Sequence, residues 1–403
     1  MSEWNLVRLG DVAKVIDSLH VTPKYVENGY PIIRVQDIYE GLFDIQNPLY
    51  VTKEVYEKYT KKHKPKKGDI LFTRVGANNG ISSYVNTNVD FCIGQNTCIL
   101  TEYADSVYSK YIYYIMISNI IKHQIQSMNT GSTHKTISLG NINNFEFYIP
   151  SYNEQKSIAD TLSCLDEKIE LNNRMNKTLE EMAQAIFKSW FVDFEPFQNG
   201  EFENSELGKI PKSWRVVEIG KVVENIKDKV KELALPVLSA VKTGNLTLSE
   251  EYFTKQVFSK SISKYVIIKP YEFAYNPARI NIGSIGMNEF NFDGCVSPVY
   301  VAFRTEPKYK WFIKLFIKTD KFNLEVNTRA SGSVRQTLNF DEFSRIKIVY
   351  PPSNVMDKFN LIFESIYKTQ NEIAKESSTL TNIRDTLLPK LMSGEIRVPI
   401  EEV

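Results

Sequence analysis

The sequence predicts two tandem mixed α/β domains, each followed by a long helix, with the two helices packed as an antiparallel coiled coil about a pseudo-two-fold axis. Three observations predict it. The stretch 153–190 contains no Pro or Gly, and places Ile158, Leu162, Leu165, Ile169, Leu179, Ala183, Ile186 and Trp190 at steps of four and three. That spacing puts one stripe on a helix face, and about 40 residues of helix make a rod about 60 Å long, more than a globular core needs. A second stretch repeats the pattern with Phe359, Phe363, Ile366, Gln370, Ile373, Ser377, Leu380, Leu387 and Leu391. Third, the chain starts again halfway: Trp214-Arg215-Val216-Val217-Glu218-Ile219-Gly220 matches Trp4 to Gly10 at an offset of 210.

Further matches run through the repeat. Pro236-Val237-Leu238 answers Pro31-Ile32-Ile33, and Tyr350-Pro351 answers Ile149-Pro150. Gly332-Ser333-Val334-Arg335-Gln336-Thr337-Leu338 answers Gly131 to Ile137 at an offset of 201, which Leu380, Ile383 and Leu387 keep with Leu179, Met182 and Ile186. The strand ending at Arg74 is answered by Phe273-Ala274-Tyr275-Asn276-Pro277-Ala278-Arg279, which pairs Arg74 with Arg279. Independent motifs at nearly one offset indicate tandem duplication. Related halves on one chain tend to pack with pseudo-two-fold symmetry, as identical subunits do.

In order, the chain divides into a first globule over 1–152, a helix over 153–193, a linker over 194–213 rich in Glu, Asn, Gly and Pro, a second globule over 214–352, a second helix over 353–394 and a tail over 395–403. In the first globule, short apolar runs bounded by turn residues predict buried strands at 31–35, 69–74 and 97–100. Tyr113, Ile117 and Ile121 predict a helix over 109–125, and Val75-Gly76-Ala77-Asn78-Asn79-Gly80 predicts a loop. Asn153 is placed to cap the first long helix, with Gln155 in its first turn. The polar seam residues Asn172 and Asn176 face Gln370 and Ser377 if the helices are antiparallel, which would fix their register.

Composition narrows the function. Hydrophobic content of 42% and charged content of 24% are those of a soluble globular protein. No run approaches a membrane span, and the start MSEWNLVRLGDV lacks the form of a signal peptide, so a cytoplasmic location is expected. Cys92, Cys98, Cys164 and Cys295 form no CxxC pair and the four His are scattered, so buried thiols and no metal site are expected. No GxxxxGK[ST] loop exists, so ATP-driven motion is not intrinsic. Asn276-Pro277-Ala278-Arg279 lacks the aromatic of an amino-methyltransferase motif, and no GxGxxG precedes it. The net charge of +1 gives little support to nucleic-acid binding by itself, although local patches matter more than the sum.

The run Met182-Ala183-Gln184-Ala185-Ile186-Phe187-Lys188-Ser189-Trp190-Phe191-Val192-Asp193-Phe194, the run Ile383-Arg384-Asp385-Thr386-Leu387-Leu388-Pro389-Lys390-Leu391-Met392-Ser393-Gly394-Glu395-Ile396, and the stretch 275–286 resemble the specificity subunit of type I DNA restriction-modification systems. The resemblance covers nearly the whole chain. It implies a non-catalytic recognition subunit, each globule reading one half of a split, asymmetric sequence in double-stranded DNA, with helices that space the globules and dock two methylation subunits. It implies that S-adenosylmethionine and ATP are held only by partners, a restriction subunit that translocates and cuts DNA among them. A self-contained methyltransferase or nuclease with fused recognition domains is the alternative, and a coiled-coil scaffold that binds only protein is a third reading.

Base reading uses forked donors and amides, Arg to guanine and Asn or Gln to adenine. The candidates are Arg34, Gln36, Arg74, Asn78, Asn79, Gln95, His134 and Lys135 in the first half, and Lys242, Arg279, Asn281, Arg335 and Gln336 in the second. Arg74 and Arg279 are expected to play matching roles. The run of six lysines from Lys58 to Lys67, Lys62 and Lys64 among them, is a candidate phosphate contact. Glu180, Glu181, Lys188 and Phe191 are candidates for docking partner subunits.

Overall fold

The computed structural model describes residues 4–399 except 46, 77–78, 129–135, 242–243, 254–258, 260 and 331–336. It divides into two compact units. One holds Met1–Arg174 and Ile373–Val403, the other Met175–Glu372.

In the first unit a five-stranded sheet runs in the order Lys14–Asp17, Thr97–Thr101, Ile70–Thr73, Ser82–Tyr84 and Gly41–Leu42. All pairings are antiparallel except the last, which is parallel. Its central strand is buried on both faces: Ile70 and Phe72 pack into the core that contains Tyr111, Ile115 and Phe145, while Leu71 joins Ile33, Phe91 and Ile99. This explains why the strand reads as an unbroken apolar run rather than an alternation. A three-stranded sheet of Leu49–Val51, Tyr30–Ile33 and Cys92–Ile93 lies in the same unit. The helix expected over 109–125 breaks at Ser118 into Ser109–Ile117 and Asn119–Met128, and Ser118 bonds back to the Ile115 carbonyl. Three of the four thiols are buried, and burial pushes Cys92 up to about 12. Cys164 is exposed on the first long helix, against expectation.

The second unit repeats this frame. The terminal ladder pairs Asn5 with Ile149 in one unit and Arg215 with Tyr350 in the other, so the offsets of 210 and 201 are those of one ladder in one register. Ile32 bridges Cys92 in parallel, and Val237 bridges Cys295 in the same sense. The hairpin Ile70–Thr73 with Ser82–Tyr84 recurs as Phe273–Tyr275 with Ile285–Met287. One turn is duplicated that the sequence motifs did not mark. Asp69 accepts from the Lys66 amide at 2.9 Å, and Glu272 accepts from the Lys269 amide at 2.8 Å. The residue before each carboxylate has a positive φ, +97° at Gly68 and +66° at Tyr271. Tyrosine there carries backbone strain that glycine avoids.

The two long helices span Tyr152–Phe191 and Ser353–Met392. Within each unit their segments run antiparallel. In the first, Arg384 donates to Asp166 at 2.9 Å, Asn172 to Glu376 at 2.8 Å, and Arg397 pairs with Glu154. In the second, Gln370 donates to the Asn176 carbonyl at 3.4 Å and Phe187 meets Phe359 edge-on. Asn172 is fully buried, but its partner is Glu376 rather than Gln370 or Ser377.

Three expectations change at the element ends. Ser151, not Asn153, caps the first long helix, its hydroxyl accepting from the Glu154 amide at 3.4 Å. Gln155 lies in the first turn, as expected, and is also an internal tie, accepting from the Tyr108 amide and donating to the Ser106 and Pro150 carbonyls, each at 2.9 Å. Residues 194–213 are no loose linker: Phe202–Ser205 and Gly208–Pro211 form a hairpin, and Phe194 and Ile210 are buried with Trp214. Within the tail, Arg397 is also anchored, because it lies over the Trp4 ring and pairs with the buried Glu154.

Candidate nucleic-acid interface

Two strand ends build a concave polar site in the first unit. Tyr30–Ile33 and Cys92–Ile93 run parallel, so both deliver their following loops, 34–36 and 94–96, to the same edge. Gly94 permits this closeness: its amide donates to the Ile33 carbonyl at 2.7 Å, and a Cβ there would sit 3.3 Å from that oxygen. Arg34, Gln36, Gln95, Asn96, Thr22 and Tyr25 line the pocket. Three of the sequence candidates therefore come together, while Asn96, Thr22 and Tyr25 were missed. Asn96 lies next to a named candidate, but nothing local in the sequence brings 22–25 to this edge.

Arg34 is pre-oriented. Its Nε donates to Asp37 Oδ2 and its Nη2 to Oδ1, both at 2.8 Å. The hydrogen bond from Arg34 to Asp37 raises the guanidinium pKa, so the group is a fixed cation with its fork held in one plane. Gln95 Nε2 donates to Thr22 Oγ1 at 3.1 Å, which spans the pocket and sets the amide.

The lysine run leaves the helix Lys53–Tyr59, capped by Thr52, and enters the duplicated turn. Tyr56 anchors the helix by stacking on Tyr30 with ring centroids 4.1 Å apart. Asp69, 1% exposed, ties the far end by accepting from His63 at 2.6 Å, Thr101 at 2.6 Å and the Lys66 amide. Lys58, Lys61, Lys62, Lys66 and Lys67 are exposed between these anchors and make no ion pair among the described residues. Lys64 differs, because it pairs with Asp90 at 2.9 Å and lies over the Tyr56 ring.

The structure corrects three candidates. Arg74 is not free to read a base: its side chain is 11% exposed, pairs with Asp17 and donates through Nε to the Ile137 carbonyl at 3.1 Å. Nor does Arg279 match it. The Arg74 carbonyl accepts from Ile137 and the Pro277 carbonyl accepts from Leu338, so Pro277 is the true counterpart. Matching the arginines by sequence skipped two residues. Phe191 is 4% exposed in the aromatic core with Phe312, Trp214 and Phe359, out of reach of a docking partner.

The other candidates fall as follows. Arg279 and Asn281 are exposed on the turn 279–283, and Asn276 spends its amide oxygen on the Ala278 N–H at 3.0 Å. Asn79 lies in the turn after Gly76, its amide donating to that carbonyl. Asn78, His134, Lys135, Lys242, Arg335 and Gln336 lie outside the described residues. Glu181 is exposed, and Lys188 is exposed and paired with Asp193 at 2.7 Å. Glu180 is half-buried; burial raises its pKa, but Lys318 at 2.8 Å more than offsets this and holds it below the usual carboxylate range.

The matched bridges give the counterparts of the pocket in the second unit. Arg34, Gln36, Gln95 and Asn96 correspond to Ser239, Val241, Pro298 and Val299. The frame is duplicated and the polar lining is not. Among the described residues there is no cluster able to hold a metal, and no helix is long and apolar enough to cross a membrane.

Residues 1–181 match the family model described as type I restriction modification DNA specificity domain. The chain is 28% identical over 426 residues to the MjaIX type I restriction enzyme specificity subunit of Methanocaldococcus jannaschii, covering 98% of this chain and 94% of that one. It is 25% identical over 472 residues to the HindI specificity subunit of Haemophilus influenzae, covering 98% and 100%. The crystal structure of a type I restriction-modification S subunit from M. genitalium superposes with a TM-score of 0.59 at 16% identity, covering 97% of this chain and 96% of that one.

Proposed function

We propose, from its likeness to type I restriction-modification specificity subunits, that this chain is such a subunit and that its two domains read the two different halves of one bipartite DNA target. The observation that carries this is the duplicated frame with unlike linings. Arg34, Gln36 and Gln95 in one domain are answered by Ser239, Val241 and Pro298 in the other. Donors and acceptors suited to purine edges stand in the first, and in the second the same positions carry Ser239, the buried Val241, Pro298 and Val299. Two such domains on one duplex would select an asymmetric sequence.

The exposed lysines 58–67 would contact phosphates beside the first pocket, supplying affinity without sequence preference. Arg279 and Asn281, exposed on their turn, would touch DNA in the second domain. The long helices would hold the two domains at the spacing of the half-sites and present Glu181 and the outer helix faces to two methylation subunits. Methyl transfer from S-adenosylmethionine and ATP-driven translocation and cutting would reside in the partners. The chain, itself non-catalytic, would act in the cytoplasm.

The test is recovery of the target. The chain is produced with the methylation subunits of its host, and modified bases are mapped on genomic DNA. Two short specified segments separated by an unread gap support the proposal. A single contiguous site, or none, defeats it.

A further inference from the structure

Arg74 joins four segments of the first domain. Its amide donates to the Asn96 carbonyl at 2.8 Å, and its own carbonyl accepts from the Ile137 amide at 2.9 Å. The guanidinium reaches the Ile137 carbonyl through Nε at 3.1 Å and Asp17 through Nη1. Asp17 Oδ2 in turn lies 2.9 Å from His20 Nε2. The segments tied are 17–20, 74–76, 94–96 and 136–137. Two of them lead directly into the pocket: Gln95 and Asn96 line one side, and the chain after His20 brings Thr22 and Tyr25 to the other.

The domain frame does not require this pair. Ile16 pairs with Ile99 and Ile226 with Ala302, so Lys227 stands where Asp17 does, and Pro277 stands where Arg74 does. The second domain builds the same sheet with neither charge partner. A buried ion pair adds little net stability over apolar replacements of similar volume, so stability alone does not account for it.

We propose that Arg74, with Asp17, is a positioning residue for base reading in the first domain. It holds the loops 20–25 and 94–96 at the separation that presents Gln95, Asn96 and the Asp37-fixed Arg34 to one base step. This inference rests on the DNA-reading function proposed above. Recognition by forked hydrogen bonds requires groups held within about 0.5 Å, so loss of the tie relaxes selection without removing the reading groups themselves.

The test uses the full chain with its methylation subunits and pools of duplexes randomised in either half of the mapped target. The double variant Asp17→Leu/Arg74→Met removes both charges together and avoids leaving one buried alone. Arg74→Lys keeps a cation for Asp17 but cannot also bridge to Ile137. The expected result is a fall of about tenfold or more in discrimination within the first half-site for the double variant. Selection in the second half-site stays as in the wild type, Arg74→Lys lies between, and melting temperatures remain within a few degrees. First-half selection as sharp as the wild type overturns the inference. Equal losses in both halves that follow a lowered melting temperature also overturn it, because they mark fold support alone. A wild-type chain that selects no bipartite sequence defeats instead the DNA-reading function.

Discussion

Asp37 fixes the plane of Arg34 before any ligand arrives, so Arg34 is the side chain best prepared to read a base. Arg34→Ala is expected to cost about 1–3 kcal/mol of affinity for the cognate target and to relax selection only in the first half-site. Binding titrations on duplexes altered in one half at a time check this; equal weakening on every sequence would make Arg34 a phosphate ligand. The exposed lysines carry the opposite expectation. Replacing Lys62, Lys66 and Lys67 by Ala should weaken binding on all sequences alike and flatten the salt dependence by about 0.9 in log–log slope for each phosphate no longer neutralised. An unchanged slope would remove the lysine run from the DNA surface. At this scale the sequence was only partly legible. It indicated Arg34 and Gln36 as donors that follow an apolar strand and Gln95 as one beside a glycine, and the parallel bridge of Ile32 with Cys92 brings them to one pocket. It could not reveal that Arg74 is consumed by Asp17, because the partners are far apart in the chain and meet only once the strands pair. The same cause made Arg279 seem the match of Arg74: the shared arginine was visible, and the hydrogen bond from Leu338 to Pro277 was not.

Helices and strands were more legible, because periodicity reports burial directly. Two offsets, 210 and 201, are the registers of the same ladder in both units, and the apolar stripe of each long helix is buried where Ile158, Leu162, Phe359 and Phe363 fall. What stayed hidden was packing between segments whose composition is turn-like. The hairpin after the first long helix read as linker because its composition is turn-like, yet Phe194 and Ile210 pack it onto Trp214. Each long helix has antiparallel partners in both units, so length changes must be matched. Four residues inserted after Asn173 alone should break the pairing in one unit and lower the melting temperature. Matched insertions of four in both helices keep the stripes nearly in phase, since four residues barely exceed one turn. They add about 6 Å of helix, the rise of nearly two base pairs. Each added base pair also turns the far half-site by about a tenth of a turn, so a gap longer by one base pair is expected more often than by two. Methylation mapping with the doubly extended chain checks it; an active variant that keeps the original gap would show that the helices do not set the spacing.

Duplication dominates the molecule as a whole. Residues 1–200 retain the first domain and the first long helix but lack 373–392, the stretch that packs against 152–174. The 175–191 segment of a second copy has the same pattern, with Leu179, Met182 and Ile186 at the offset of Leu380, Ile383 and Leu387. The fragment is therefore expected to form a dimer and, with methylation subunits, to modify an inverted repeat of the first half-site. Sedimentation of the fragment tests the first part, and a strictly monomeric species would contradict it. The whole chain is also expected to bind no S-adenosylmethionine when alone, since Asn276 is committed to its own turn and no glycine-rich cofactor loop precedes it. Micromolar binding by calorimetry would contradict this.

Unlike linings on one duplicated frame, as the source of a split and asymmetric target, are tested most directly by single-molecule methylation mapping. DNA modified by the wild-type chain with its methylation subunits is compared with DNA modified by an Arg34→Ala/Gln36→Ala/Gln95→Ala variant. The expected map for the wild type has two different specified segments around an unread gap. The expected map for the variant keeps one segment and the gap, and loses specification in the other. A variant that alters both segments, or neither, would contradict the assignment of one domain and one pocket to one half-site.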